Sequence, residues 1–306
     1  MAVQYRWATL GCGVIGHQLA EAMQKLGGNL YAVGNRTHAK AVQFAEQYGI
    51  GKVYDKIEDM FQDPDVDIIY ISTPHNTHIK YLRQALAAGK HVLCEKSITL
   101  NYYELEEAVK LAMEHHLVLA EAQTIYHMPI YRVLRERIDR GDFGPLRLMT
   151  LNFGSYKPYD MKNRFFNRSL AGGAMLDIGV YALSFARWFD EQASMLLKNE
   201  QGEMATVMLS LHAKQPKRGM LSFDKAYVEL MEYPRGDKAV ITWTEDGRKE
   251  EIVAGETANA LCYEIEDMER TVAGQKDFMH LDYTVDVMAL MTKARQDWGM
   301  RYPEEE

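Results

Sequence analysis

Residues 7–16, Trp7-Ala8-Thr9-Leu10-Gly11-Cys12-Gly13-Val14-Ile15-Gly16, join a short apolar run to a glycine string that opens a helical pattern. Gly11, Gly13 and Gly16 have the spacing G-x-G-x-x-G. Between a strand and a helix, such glycines allow a tight turn, close approach of a pyrophosphate to the backbone, and packing of helix on strand. The helix N-terminus then faces the anion. Gly11, Cys12, Gly13, Val14, Ile15 and Gly16 are therefore candidate dinucleotide contacts, with Cys12 read as a small filler rather than a redox group. A glycine turn can also be mere geometry, so the pattern around it decides.

Working outward, short apolar runs alternate with helical stretches as far as about Ala120. The runs are Trp7 to Leu10, Leu30 to Val33, Lys52 to Tyr54, Ile68 to Ser72, His91 to Cys94 and Val118 to Ala120. Helical periodicity fills Val14 to Leu26, His38 to Tyr48, Thr77 to Ala88 and Tyr102 to His115, with Gly27, Gly49 and Gly89 placed to stop helices. This alternation predicts an α/β domain over residues 1–123 with a doubly wound parallel sheet. Beyond Pro129 the pattern changes to one helix and then strands joined by tight polar turns. They are Thr150 to Ser155, Ala193 to Lys198, Ala205 to His212, Met220 to Phe223, Ala226 to Tyr233 and Ala239 to Thr244. Residues 124–306 are thus expected to form an α+β domain with a largely antiparallel open sheet. Helices over Tyr263 to Ala273 and Thr284 to Trp298 close the chain.

Composition restricts the function. A formal net charge of −8 over 306 residues argues against general nucleic-acid binding, which needs a basic footprint. Three cysteines, Cys12, Cys94 and Cys262, fit neither a disulfide framework nor a Cys-x-x-Cys metal site. No signal-peptide pattern opens the chain, and no apolar run of membrane-spanning length stands out. A cytoplasmic protein without membrane or nucleic-acid partners is expected.

Several motifs fall where chemistry is expected. At the end of the second strand the dinucleotide fingerprint calls for a carboxylate on the ribose diol. Here Gly34-Asn35-Arg36-Thr37 offers an arginine and two short polar side chains. Asn35, Arg36 and Thr37 suit a 2′-phosphate, which favours NADP and leaves NAD admissible. Ser72, Thr73, Pro74, His75, Asn76 and His78 follow the fourth strand at the sheet's carboxyl edge and are read as cofactor or loop contacts. Thr77 is placed to cap the next helix. The two histidines have no Cys or carboxylate beside them, so no metal is expected. Glu95 and Lys96 leave the fifth strand at the same edge. An ammonium there can stabilise the negative charge that hydride transfer leaves on an oxygen and can pass a proton, while Glu95 steadies it. Asp177 and Tyr181, four apart on an expected helix, share one face.

Together, Gly11 to Gly16, Ser72-Thr73-Pro74 to His78, Glu95-Lys96, and Gly172-Gly173 through Asp177 to Tyr181 resemble the Gfo/Idh/MocA oxidoreductases. The branch most similar is that of dihydrodiol dehydrogenases, D-xylose dehydrogenases and glucose-fructose oxidoreductase. The resemblance implies a pyridine nucleotide, Lys96 and Tyr181 as catalytic groups at the reacting oxygen, and a homodimer through the second domain's sheet. The reaction expected is interconversion of a secondary alcohol and a carbonyl on a sugar, polyol or related molecule. In it Asp177 would orient substrate or Lys96, with Asn163, Arg164 and Phe165 as further substrate contacts. Dehydrogenation of an aromatic trans-dihydrodiol and a non-catalytic dinucleotide sensor are the alternatives. Two features depart from the family. Ser97 stands where a proline usually follows Glu-Lys, leaving a cis or trans Lys96–Ser97 bond open. Trp188-Phe189 also runs directly into Asp190-Glu191-Gln192-Ala193, without the usual intervening loop and strand.

Overall fold

The computed structural model describes residues 5–161, 165–189, 197–198 and 204–305. It contains two compact units. The first comprises Met1–Ala122 and Leu261–Leu281, the second Gln123–Ala260 and Asp282–Glu306. A division was expected at 123/124. In the structure the segment Leu261–Leu281 returns to the first unit.

In the first unit, β1 (Arg6–Leu10), α1 (Val14–Leu26), β2 (Asn29–Gly34), α2 (His38–Tyr48), β3 (Lys52–Val53), α3 (Ile57–Gln62), β4 (Ile68–Ile71), α4 (His78–Ala87), β5 (His91–Glu95), α5 (Tyr102–Glu114) and β6 (Leu119–Ala122) alternate along the chain. The sheet order is β3-β2-β1-β4-β5-β6 with parallel pairings throughout the described residues. The order reverses between β1 and β4, and a crevice opens at such a point beyond the strands' carboxyl ends. Strands β1 and β4 are buried at nearly every position because helices cover both faces. Gly27 and Gly49 end α1 and α2 in the left-handed conformation, φ 67° and 70°. Helix α3 spans six residues, too few for the spacing of Ile57, Met60 and Phe61 to mark a helix in the sequence.

After β6 come α6 (Pro129–Asp139), β7 (Leu146–Gly154), α7 (Val180–Phe189), β8 (Leu197–Lys198), β9 (Met204–Ser210), β10 (Gln215–Phe223), β11 (Ala226–Met231), β12 (Lys238–Trp243), β13 (Lys249–Val253), α8 (Ala260–Val272) and α9 (Leu281–Asp297). The second sheet runs β13-β12-β11-β10-β7-β9-β8 and is antiparallel except for the β7–β9 pair. Its inner face takes α7. A Cβ on Gly219 would lie 2.6 Å from the Phe185 ring, so this glycine lets the helix press against β10. On the other face, register aligns Met208, Asn152, Arg218 and Met231 in one row across β9, β7, β10 and β11. Met208 and Met231 are exposed. Strand β13, which opens with Lys249, Glu250 and Glu251, is an edge strand that apolar alternation does not reveal. Of the strand expected over Ala193 to Lys198, only Leu197–Lys198 is described. The junction Asp190 to Ala193 lies outside the described residues.

Helix α8 shows why sequence order and spatial unit differ. Leu261, Cys262, Ile265 and Met268 bury themselves with Trp7, Tyr70 and Leu93. The indole Nε1 of Trp7 donates to Glu269 Oε1 at 2.9 Å, satisfying its N–H inside the core. The helical stretch Arg168–Phe189 is, contrary to the reading of the apolar runs, long and apolar enough to cross a membrane by length and composition, yet 67% of its 18-residue apolar portion is buried within the protein. Core burial accounts for its apolarity.

Candidate functional site

The glycine string is folded as a nucleotide-binding turn requires. Gly11 has φ 119°, and a Cβ there would meet Ser72 Oγ at 2.7 Å and Ser72 O at 2.8 Å. At Gly16 a Cβ would stand 2.7 Å from Gly11 O, so α1 can approach β1 only as glycine. Gly13 differs: no protein atom lies within 4 Å of its Cβ position. It is the N-cap of α1, without a side-chain cap or an acidic residue in the first turn. The free N–H groups and the dipole there suit a pyrophosphate, and the open space beside Gly13 admits one. Cys12 is half-buried, and burial pushes its thiol up to about 11, opposed by Lys40, so it stays neutral and takes the filler role.

Around this turn the structure gathers the predicted cofactor residues. Gly11 N donates to Gly34 O at 2.9 Å, which sets Asn35, Arg36 and Thr37 at the adjoining edge. Asn35 Nδ2 donates to Thr37 O at 3.0 Å, and Arg36 and Thr37 are exposed. Lys40, in the first turn of α2, is close enough to influence Cys12 and adds a cation beside the glycine turn. Ser72 Oγ lies 3.4 Å from both Leu10 O and Gly11 O, joining the β4 loop to the glycine turn. Thr77 sits at the N-cap of α4, yet its hydroxyl does not cap the helix as expected. It turns back to within 2.7 Å of Pro74 O and 2.8 Å of Thr73 Oγ1.

The β5 loop carries Lys96, which is half-buried, and the Lys96–Ser97 peptide is cis. Side chains from three directions hold this loop. Glu95 Oε1 accepts from the Tyr70 hydroxyl, and Glu95 Oε2 accepts from Lys96 N at 3.2 Å. Buried Glu121 accepts from Ile98 N at 3.0 Å, and Glu104 accepts from Leu100 N at 3.0 Å. Asn101 Oδ1 caps α5 by accepting from Glu104 N at 3.0 Å. His75 Nε2 lies 3.0 Å from Lys96 O. The loop is fixed by hydrogen bonds to buried or half-buried groups, which are costly to break.

In the second unit, Phe165 O accepts from Gly173 N at 3.0 Å, and Lys157 Nζ lies 4.7 Å from the Phe165 ring centroid. Gly173, at φ 131°, leads into a π-helical turn, Met175–Gly179, that runs into α7. A π turn widens the helix locally, a distortion frequent at functional sites. Asp177, within the π turn, and Tyr181, in the first turn of α7, are half-buried among buried neighbours. The Tyr181 ring stacks on Phe153 of β7, centroids 5.9 Å apart. Asn163 and Arg164 lie outside the described residues.

Comparison with known proteins gives this arrangement its relatives. A profile described as "Oxidoreductase family, NAD-binding Rossmann fold" matches residues 5–123, and one described as "GFO/IDH/MocA C-terminal domain" matches residues 131–192. The trans-1,2-dihydrobenzene-1,2-diol dehydrogenase of Sus scrofa is 30% identical over 240 residues, 78% of this chain and 67% of that protein. The chain belongs to the Gfo/Idh/MocA oxidoreductase family. The corresponding Homo sapiens enzyme is 32% identical over 232 residues, 75% of this chain and 65% of its own length, so the match spans just under two thirds of that relative. Among solved structures, a 3-ketoreductase from Actinomadura kijaniata in complex with NADP and TDP-benzene superposes with a TM-score of 0.83 at 20% identity. The match covers 97% of this chain and 98% of that one. At that identity the likeness concerns the fold.

For this Gfo/Idh/MocA chain, several supporting residues escape motif reading. Tyr70 looks like an ordinary core aromatic, and its hydroxyl's partner is 25 positions away. Lys40 sits in a polar helix start with nothing to mark it. Glu121 could have been found: an acidic residue inside the apolar run Leu119–Ala122 needs a buried partner.

Proposed function

We propose that this member of the Gfo/Idh/MocA family is an NADP(H)-preferring oxidoreductase that interconverts a secondary alcohol and a carbonyl on a sugar, polyol or related small molecule. The observation that carries the reading is the braced Lys96 loop, which leaves β5 at the edge where β4 and the glycine turn converge. The nicotinamide cofactor supplies or accepts the hydride when bound. Gly13 and the start of α1 take its pyrophosphate, and Arg36 with Lys40 favours a 2′-phosphate. Lys96 stabilises negative charge developing on the substrate oxygen. Tyr181 is assigned the proton transfer, with Asp177 and Phe165 as substrate contacts; Asn163 and Arg164 share that last assignment.

Dehydrogenation of a trans-dihydrodiol is the second reading, favoured by the dihydrodiol dehydrogenases at 30–32% identity. The face bearing Met208 and Met231 is proposed as a homodimer surface, and the location as cytoplasmic. Titration with NADPH and NADH, followed by a screen of aldoses, polyols and dihydrodiols at the nicotinamide absorbance band, tests the function. Tighter NADH binding overturns the cofactor preference. Turnover confined to dihydrodiols selects the second reading, and tight NADPH binding with no turnover on any class points to the sensor.

A further inference from the structure

His75 and His78, read from the sequence as cofactor or loop contacts, do something more specific in the structure. The His78 side chain is fully buried at the first position of α4. Its Nε2 lies 2.8 Å from Thr73 O, in the loop after β4. Its Nδ1 lies 3.1 Å from Ser97 O and 3.2 Å from Ile98 O, in the loop after β5. One imidazole therefore spans the two loops that meet at the carboxyl edge. The His75 ring stands edge-on to it, centroids 5.7 Å apart, and approaches the carbonyl of Lys96 itself. On the opposite side of the β5 loop, Glu121 takes the Ile98 N–H. The peptide groups that follow Lys96 are thus gripped from α4 and from β6.

We infer that His78 is the positioning residue for Lys96: it ties the Ser97–Ile98 backbone to Thr73, so that the loop facing the nucleotide and the loop carrying the lysine move as one body. This rests on the reading of Lys96 as the group at the reacting oxygen. A metal role is inconsistent with the geometry, because both ring nitrogens face carbonyls. A space-filling role would not require three carbonyl contacts on two loops. Burial also pushes the ring's pKa below its usual value, with neighbouring Lys96 acting in the same direction. The carbonyl contacts at Nδ1 and Nε2 act the other way, since a ring that donates to both loops carries a proton on each nitrogen.

Two substitutions separate the two sides of the bridge. An asparagine amide nitrogen falls near the histidine Nδ1 and a glutamine one near Nε2. His78→Asn therefore retains a donor toward Ser97 and Ile98, and His78→Gln retains one toward Thr73. In the full-length protein, the acylation rate of Lys96 is measured by peptide mass spectrometry. It is expected to stay within about twofold of wild type in His78→Asn and to change about fivefold or more in His78→Gln, the scale of one hydrogen bond. Steady-state kinetics should split the same way. His78→Gln lowers kcat with little change in the KM for NADPH, and His78→Asn chiefly raises that KM. Equal Lys96 labelling in all three proteins overturns the inference, even if the variants melt at lower temperature. Should a variant not fold, nitrogen NMR of the wild-type ring decides. Slowly exchanging protons on both ring nitrogens are expected, and a nitrogen without one removes the tie on its side, Nδ1 to Ser97 and Ile98 or Nε2 to Thr73. Failure of the functional reading has its own signature: wild type that binds no NADPH, or turnover that survives Lys96→Met.

Discussion

The hydroxyl of Tyr70, on β4, donates to the carboxylate of Glu95, on the neighbouring β5. Through its other oxygen Glu95 accepts the backbone N–H of Lys96. A fully buried phenol thereby orients the acidic residue that precedes the proposed catalytic lysine. Tyr70→Phe removes one donor to Glu95 without changing the packed volume. We expect kcat to fall about three- to tenfold with cofactor affinity nearly unchanged, the scale of one hydrogen bond near a charged group. Unaltered kcat would detach Tyr70 from catalysis.

Lys96→Met and Tyr181→Phe test the proposed chemistry more directly. Each should reduce kcat by about a hundredfold or more, since each removes a group acting on the developing charge or the proton. Fluorescence titration should find NADPH still bound. Wild-type turnover in both variants removes the mechanism.

Arg36→Ala probes cofactor choice. Loss of a charge-assisted contact to a 2′-phosphate should weaken NADPH binding about tenfold and leave NADH binding unchanged. Parallel weakening of both cofactors would assign Arg36 a structural part instead.

Gly13 and Gly16 should respond differently to alanine. Nothing in the protein lies within 4 Å of the Gly13 Cβ position, whereas the Gly16 Cβ would press to 2.7 Å from Gly11 O. Gly13→Ala should keep its Tm and lose NADPH affinity, because the methyl intrudes on the nucleotide's space. Gly16→Ala should lose Tm as well. Calorimetry beside cofactor titration compares them, and an unchanged affinity in Gly13→Ala would move the pyrophosphate elsewhere.

Acid stability should depend on Asp63, at the opposite end of the first sheet. Its buried carboxylate accepts from Lys52 Nζ at 2.5 Å, from the Tyr54 hydroxyl and from Asp65 N at 2.8 Å. Burial alone would raise its pKa, but these hydrogen bonds together hold it down at about 2. A carboxylate with a depressed folded-state pKa adds stability that is fully present above the unfolded value of about 3.9. That stability disappears as pH falls toward the folded value. Lys52 is partly exposed, so the contribution is about 1–2 kcal/mol. Asp63→Asn should lower Tm at pH 7 and flatten its decline between about pH 4 and pH 2. A decline as steep as wild type's would contradict this account.

Much of this protein is legible in its sequence, and the legible parts share a cause. Helices α1 and α2 appear with their bounds because a 3.6-residue periodicity and a left-handed glycine stop are properties of adjacent residues. The glycine spacing at 11–16 and the Glu95-Lys96 pair are local in the same way. Charged β13 is invisible because its place is set by hydrogen bonding to β12, not by its own apolar pattern. The spacing of Asp177 and Tyr181 is legible as helical, whereas the π turn that holds Asp177 has no plain sequence mark.

The sequence by itself determined the alternating parallel sheet, the nucleotide turn, the change to a mostly antiparallel second sheet, and the identity of the lysine at the end of the fifth strand. These follow from steric and hydrophobic preferences acting over a few residues. Only the tertiary structure decided that Leu261–Leu281 completes the first unit by burying α8 against Trp7 and Tyr70. It alone brought Tyr70 to Glu95, Glu121 to Ile98, and His78 to the loop of Lys96. Those partners are 19 to 25 positions apart in the chain. Neighbouring parallel strands and the helices between them bring such positions together, and burial then obliges each polar group to find its partner.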